Sequence, residues 1–207
     1  MMSLEAIIHI VDDDPAIRDS LSLLLKSAGF ESRTYASAED FLSSYKASRP
    51  GCLLLDIRMP GMNGLDLQEE LASRRINTPV IIMTGDGDVP AAVRAMKAGS
   101  LDFIEKPFDP QFLLDLVKIG LAKDVKQRKR RKKDEEISSR LAALSSRERE
   151  ILDLLAAGEP NKMIARKLDI SPRTVELHRS HIMRKLHAHS LSDLVRLSLI
   201  ANGKAKI

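Results

Sequence analysis

The chain has 207 residues, 43% of them hydrophobic and 30% charged, which is apolar mass for one large domain or two of ordinary size. No aliphatic run exceeds five residues, far below the roughly 20 that cross a bilayer, and the start, MMSLEAIIHI, has no basic segment, so neither a membrane span nor a signal peptide is expected. The net charge of +4 hides an asymmetry: residues 1–120 carry 12 Lys+Arg against 18 Asp+Glu (net −6), and residues 121–207 carry 21 against 11 (net +10), a basic half of the kind that meets nucleic acid or an acidic surface.

In chain order, the acidic half alternates short apolar runs with amphipathic segments. Strands are predicted at Ala6–Val11, Ser32–Tyr35, Cys52–Leu55, Val80–Met83 and Leu101–Ile104, and helices near 15–28, 37–47, 63–74, 88–98 and 109–122. Asp14-Pro15 and Asp109-Pro110 each put a cap before a proline at the first helical position, while Gly29 and Gly99 follow helices as left-handed stops. Strands alternating with helices predict an α/β fold, a doubly wound (βα)5 parallel sheet. The lone cysteine, Cys52, excludes an intrachain disulfide, suits a reducing cytoplasm and is expected to be a small buried apolar residue.

From about residue 121 the texture changes. KDVKQRKRRKKDEEISSR contains nothing that breaks a helix, and its basic run Lys126–Lys133 reads either as a nucleic-acid arm or as a solvated linker helix with which Glu135 and Glu136 can pair; the solvated linker is the expectation. Ser145 and Glu148 form a capping box, Gly158 stops that helix, Asn161–Leu168 is a short helix, and Ser171-Pro172 opens another that runs to about Leu186. Ser190 and Asp193 open a last one, giving a small all-α domain of four helices. The expected division is 1–122, a linker at 123–143, and 144–207.

In an open parallel sheet, ligands bind beyond the carboxyl ends of the strands. Those ends here carry Asp12-Asp13, Asp56, Thr84 and Lys106-Pro107. Three carboxylates gathered there repel one another unless a cation intervenes, and an oxygen-only set suits Mg²⁺. Asp56 is then a nucleophile toward phosphorus, with Thr84 and Lys106 holding phosphoryl oxygens. Asp14 is better read as a helix cap.

The stretches IVDDDPAIRDSL, LLLDIRMPGMNG, VIIMTGDG and DFIEKPF resemble the receiver domain of bacterial two-component response regulators over about residues 5–122. The resemblance implies that Asp56 accepts a phosphoryl group from a phosphohistidine of a sensor histidine kinase. It also implies that Asp12, Asp13, Asp56 and the backbone carbonyl of Arg58 arrange the Mg²⁺. Thr84 and Phe103 would follow the phosphoryl group as switch residues, although an aromatic residue in a strand is ordinarily core. The bond matching Lys106-Pro107 is usually cis. Asp86 stands where related chains more often have His.

In the basic half, Asn161–Leu168 followed by Ser171–Leu186 has the outline of a helix-turn-helix, which lays its second helix in the major groove. NKMIARKLDISPRTVELHRSHIMRKLHAHSLSDLV resembles the LuxR-type DNA-binding domain, and the whole chain resembles a FixJ-type member of the NarL/FixJ response regulators. Helical spacing turns Val175, Ile182 and Leu186 inward and Glu176, Leu177, Arg179 and Ser180 outward. By the resemblance Glu176, Leu177 and Ser180 face base edges with Arg179 close by, and Lys162, Arg173, Thr174, His178 and Lys185 are phosphate partners. Four histidines at 178, 181, 187 and 189 lack the cysteines and shared helix of a zinc site.

The implied function is a transcription regulator switched by phosphorylation of Asp56. Its partners would be the kinase, double-stranded promoter DNA, a second copy of the chain joined through about residues 88–118, and RNA polymerase. The location would be cytoplasmic, with no membrane contact. A phosphatase is the rival from another class. That chemistry needs an acid two residues after the nucleophile, where Arg58 stands and cannot release its proton. The chain is therefore expected to be a phosphoryl-accepting switch with at most slow autodephosphorylation. Two further rivals are a receiver that works without phosphorylation and a C-terminal domain that binds RNA.

Overall fold

The computed structural model describes residues 6–85 and 89–201, so Asp86 lies outside the described residues. The chain divides into two compact units, residues 1–128 and 129–207.

The first unit is built on five strands: β1 (Ile7–Val11), β2 (Glu31–Tyr35), β3 (Gly51–Asp56), β4 (Val80–Thr84) and β5 (Asp102–Glu105). All pair in parallel in the order β2-β1-β3-β4-β5. The helices between them are α1 (Pro15–Ser27), α2 (Ala38–Ser44), α3 (Gly64–Ser73), α4 (Val89–Lys97) and α5 (Pro110–Ala142). The central strands are apolar on both faces, as a parallel sheet covered on both sides requires. Ile8, Ile10, Cys52, Leu54, Ile81 and Met83 pack with α1 and α5, while Val11, Leu53, Leu55 and Ile82 pack with α2, α3 and α4. Strand order reverses beside β1, so the carboxyl ends of β1 and β3 frame the crevice where such a sheet binds its ligand.

Local chemistry explains the helix ends. Asp14 Oδ1 accepts from the Ala16 N–H at 2.8 Å, and Asp109 Oδ1 accepts from the Gln111 N–H at 2.7 Å, so both Asp-Pro pairs cap as expected. Gly29 and Gly99 take positive φ after α1 and α4. Helix α2 stops at Ser44, short of the expected 47. Tyr45 is extended there, and its ring meets Phe41 and His9 at centroid distances of 4.9 and 5.2 Å. His9 completes this aromatic group, bonding Tyr35 through Nδ1 at 3.0 Å; burial, then the charge of Arg33, lowers its pKa to about 4.

Helix α5 continues unbroken past residue 122 to Ala142, and its turns up to Arg128 belong to the first unit. The buried Asp124 holds them there. Its Oδ2 accepts from the Gly51 N–H at 3.0 Å and from Arg128 Nε at 2.6 Å, and Arg128 also donates to the Ala47 carbonyl.

In the second unit the end of α5 joins α6 (Ser146–Ala156), α7 (Asn161–Leu168), α8 (Pro172–Leu186) and α9 (Leu191–Ala201) around one core. Ile137 and Leu141 of α5 pack there with Ile151, Leu155, Ile164, Val175, Ile182 and Leu194. The Ser145–Glu148 capping box opens α6, and Ser171 caps α8 through the Thr174 N–H at 3.0 Å. No helix among the described residues is long and apolar enough to cross a membrane.

Candidate phosphoacceptor site and nucleic-acid face

Asp12 follows the last residue of β1 and Asp56 ends β3, and the parallel register sets these strand ends side by side. Both are buried, at 1% and 5% exposure. Lys106, just beyond β5, sends its ammonium between them, 2.6 Å from Asp12 Oδ2 and 2.6 Å from Asp56 Oδ1. Its backbone N–H donates to the Thr84 carbonyl at 2.6 Å, so the strand that carries the hydroxyl also anchors the lysine. Thr84 ends β4 and is buried. The Lys106-Pro107 bond is cis.

Burial raises the pKa of Asp56, against the opposing pull of Lys106, with the Asp12 charge adding to the rise and a backbone N–H bond from Arg58 opposing it. Burial works to lower the pKa of Lys106, but its bonds to Asp12 and Asp56 outweigh that and raise it. A carboxylate that resists ionisation beside an ammonium that holds its proton is a pair kept together by mutual need.

The expected convergence of three carboxylates is narrower in the structure. Asp13 is exposed and stands apart, and among the described residues no group of three such side chains is close enough to hold a metal as one cluster. Repulsion explains this: one ammonium neutralises one carboxylate, and a third close anion gains nothing from joining. The donor set still fits Mg²⁺. That ion asks for only one or two carboxylates and completes its shell with carbonyls, waters and phosphate oxygens. Asp12 and Asp56 against one ammonium leave a net negative charge, to which the exposed Asp13 of the adjoining turn adds, and a divalent cation would match it.

Two positioning residues escaped the sequence argument. Arg18 Nη1 donates to the carbonyls of Asp12 at 2.7 Å and Asp13 at 2.9 Å, and so pins the acidic turn. Gly64 lies against the end of β3, where an added Cβ would come 2.1 Å from the Asp56 carbonyl oxygen. The only textual signal for Gly64 is its place in MPGMNG. Phe103 is half-buried against the α2–α3–α4 side of the core, at the β5 position paired with Ile82. Arg58 is exposed.

On α8, Val175, Ile182 and Leu186 are buried. Arg173, Glu176, Leu177 and Ser180 recur at the spacing of a single helix stripe on the opposite side, and all are exposed, Leu177 at 53%. Lys162 on α7 is exposed as well. Thr174 and His178 are half-buried, off the centre of the stripe, and Arg179, expected to turn outward, is half-buried on the core side instead, because it follows Val175 by four residues and precedes Ile182 by three. Lys185, expected to be a phosphate partner, has its ammonium 2.7 Å from Glu148 Oε2, and it also reaches the Ala143 carbonyl. That bond joins α8 to the capping box of α6, so its charge is already engaged within the domain.

Comparisons with known proteins agree with this division of labour. Residues 8–118 match the response regulator receiver domain, and residues 142–198 match the luxR family of bacterial regulatory proteins. The chain is 46% identical to the transcriptional regulatory protein FixJ of Rhizobium meliloti over 93% of its own length and 94% of the relative's. It is 45% identical to FixJ of Azorhizobium caulinodans over 94% and 92%. Among solved structures it resembles the response regulator StyR, with a TM-score of 0.85 and 42% identity over 94% of this chain and 98% of that one. Full-length FixJ from B. japonicum gives 0.58 and 43% over 95% and 97%.

Proposed function

Because the chain belongs to the response regulators, FixJ-like transcriptional regulators that join a receiver to a LuxR-type DNA-binding domain, we propose that it is switched by phosphorylation of Asp56. The observation that carries this assignment is the Lys106 ammonium shared by Asp12 and Asp56 at the strand-order reversal. It supports the reading of Asp56, at the end of β3, as a buried oxygen nucleophile with a cation already in reach.

The donor is a sensor histidine kinase. A carboxylate oxygen of Asp56 attacks the phosphorus of a phosphohistidine, the P–N bond breaks, and the imidazole leaves with the electron pair and takes up a proton. Asp12, Asp56 and the Arg58 carbonyl, with Asp13 on the adjoining turn, would hold Mg²⁺, and the ion would supply positive charge to offset that on the phosphoryl oxygens. Lys106 transfers its contact from the carboxylate to a phosphoryl oxygen, and the Thr84 hydroxyl donates to another. Phe103 follows Thr84, which biases a two-state receiver. The chain turns over no substrate beyond slow loss of its own phosphoryl group, since Arg58 offers no general acid.

The output is binding to double-stranded promoter DNA. Glu176, Leu177 and Ser180 face the base edges, with Arg179 beside them, and Lys162, Arg173, Thr174 and His178 hold phosphates. Lys185 works inside the domain through Glu148. Phosphorylation pairs two receivers through the α4–β5–α5 face, where Met96, Phe112 and Ile119 are each about half exposed. The dimer acts in the cytoplasm and meets RNA polymerase at the promoter. By this reading the receiver is 1–122, a basic helical linker 123–143 and the DNA-binding domain 144–207.

The test is Asp56→Asn. With acetyl phosphate and Mg²⁺ the natural chain gains one phosphoryl group by intact mass and dimerises by light scattering. The variant does neither and keeps its fold. Dimerisation of the variant on acetyl phosphate would sink the assignment.

A further inference from the structure

We infer that the basic turn Lys129–Lys133 of α5 is a second DNA contact, an electrostatic clamp on the phosphate backbone outside the helix-turn-helix. The inference rests on the DNA-binding role of the domain and extends it to a segment that this role does not use.

Five consecutive cations lie here on a helix, and all are exposed. Five successive residues turn through a full circle, so like charges necessarily fall at three- and four-residue spacing, where they destabilise a helix. The acids that follow were expected to offset them. They do not: the one ion pair of the run among the described residues is Arg130 with Asp134 at 4.0 Å, at the limit of contact, and neither Glu135 nor Glu136 is paired with it. The turn therefore keeps its repulsion without internal compensation. A polyanion supplies what the chain does not.

The location selects the polyanion. The run lies in the second compact unit, with α6–α9. Ile137 and Leu141 bury one side of α5 in that unit's core, and Lys133 and Arg130, four and seven residues before Ile137, stand on the same side of the helix just beyond the core. No aromatic or aliphatic side chain interrupts the run, so it has no apolar face to insert into lipid. Lysines and arginines without apolar neighbours fit a phosphate backbone and add affinity with no sequence preference.

The test uses the full chain, activated with beryllofluoride and Mg²⁺, on a fluorescent DNA duplex of arbitrary sequence. Binding is followed by anisotropy between roughly 50 and 200 mM salt, where each neutralised phosphate contributes about 0.9 to the slope of log affinity against log salt. The quadruple variant K129Q/R131Q/K132Q/K133Q keeps good helix formers, and circular dichroism verifies the helix. The expected result is a slope shallower by about 2–3 per chain and a loss of at least about tenfold in affinity at 150 mM salt. The arginine variant K129R/K132R/K133R should keep the slope of the natural chain. An unchanged slope in the glutamine variant overturns the clamp. If Lys162→Gln with Arg173→Gln lowers the slope while the linker variant does not, the helix-turn-helix assignment stands and the clamp alone fails. Loss of binding to phosphatidylserine vesicles with the duplex slope unchanged also overturns it and assigns the run to a membrane surface.

Discussion

Lys106 Nζ stands 2.6 Å from Asp56 Oδ1 and no farther from Asp12 Oδ2, so two buried carboxylates depend on one ammonium. Removing it leaves both charges uncompensated in a place water hardly reaches. Lys106→Gln should destabilise the first unit by about 2–3 kcal/mol, below the usual range for a broken buried pair because Lys106 keeps some contact with solvent. Urea denaturation at neutral pH measures this. Adding Asp56→Asn should recover part of the loss, since one stranded charge is then gone; no recovery would mean that the lysine acts elsewhere.

Gly64 allows the turn after β3 to close on the Asp56 carbonyl oxygen, where a Cβ would sit at 2.1 Å. That neighbour is backbone and cannot rotate away. Gly64→Ala is expected to cost about 2 kcal/mol of stability or more, as overpacking does. It should also slow phosphoryl uptake from acetyl phosphate by at least about tenfold, because a misplacement of about 1 Å spoils an attacking geometry. Thermal melts and intact-mass time courses separate the two effects.

Glu148 shows a pH signature in the second unit. Its bonds to Lys185, and then to the Ser145 backbone and hydroxyl, hold its carboxyl at about 2, below its ordinary 4.5, despite burial. A depressed acid binds its proton more weakly folded than unfolded. Its stabilisation is therefore complete above about pH 4.5 and drains away as the pH falls toward 2. Glu148→Gln should flatten this part of the stability–pH curve and cost about 1–2 kcal/mol at pH 7, a cap-sized loss with the ion pair discounted for the solvent around Lys185. An unchanged acid limb would contradict the assignment.

Leu177 is 53% exposed on the stripe of α8 opposite its core face. With Leu177 at a base edge, as proposed, Leu177→Ala should leave the salt slope of DNA binding untouched while flattening the sequence preference at that base by about 1–3 kcal/mol. Selection of bound duplexes from a random pool reads this directly.

Much of the architecture was legible because the signals are local. The apolar runs fall within a residue of the observed strands, and Asp14-Pro15, Asp109-Pro110 and the Ser145–Glu148 box cap as such pairs should. Asp12, Asp56, Thr84 and Lys106 could be placed on one rim because parallel strands all end on the same side. What stayed hidden depends on contacts between distant residues. Nothing local tells Lys185 from its solvated neighbours, and its partner Glu148 lies 37 residues away. Arg18 reads as an ordinary helix residue until α1 is laid beside the acidic turn. Asp13 shows the limit of alignment at strand ends, since adjacent residues point in opposite directions and only Asp12 turns inward.

Strand β3 begins at Gly51, whose N–H is gripped by Asp124 of α5, and ends at Asp56. Its six residues thus link the proposed acceptor to the departing helix by covalent bonds and one hydrogen bond, with no loop in between. Tension or tilt imposed at the reactive tip has a short, stiff lever to act through. The far end of that lever is a carboxylate that also grips Arg128, so the start of the strand is fastened to α5 through a charged, buried clasp.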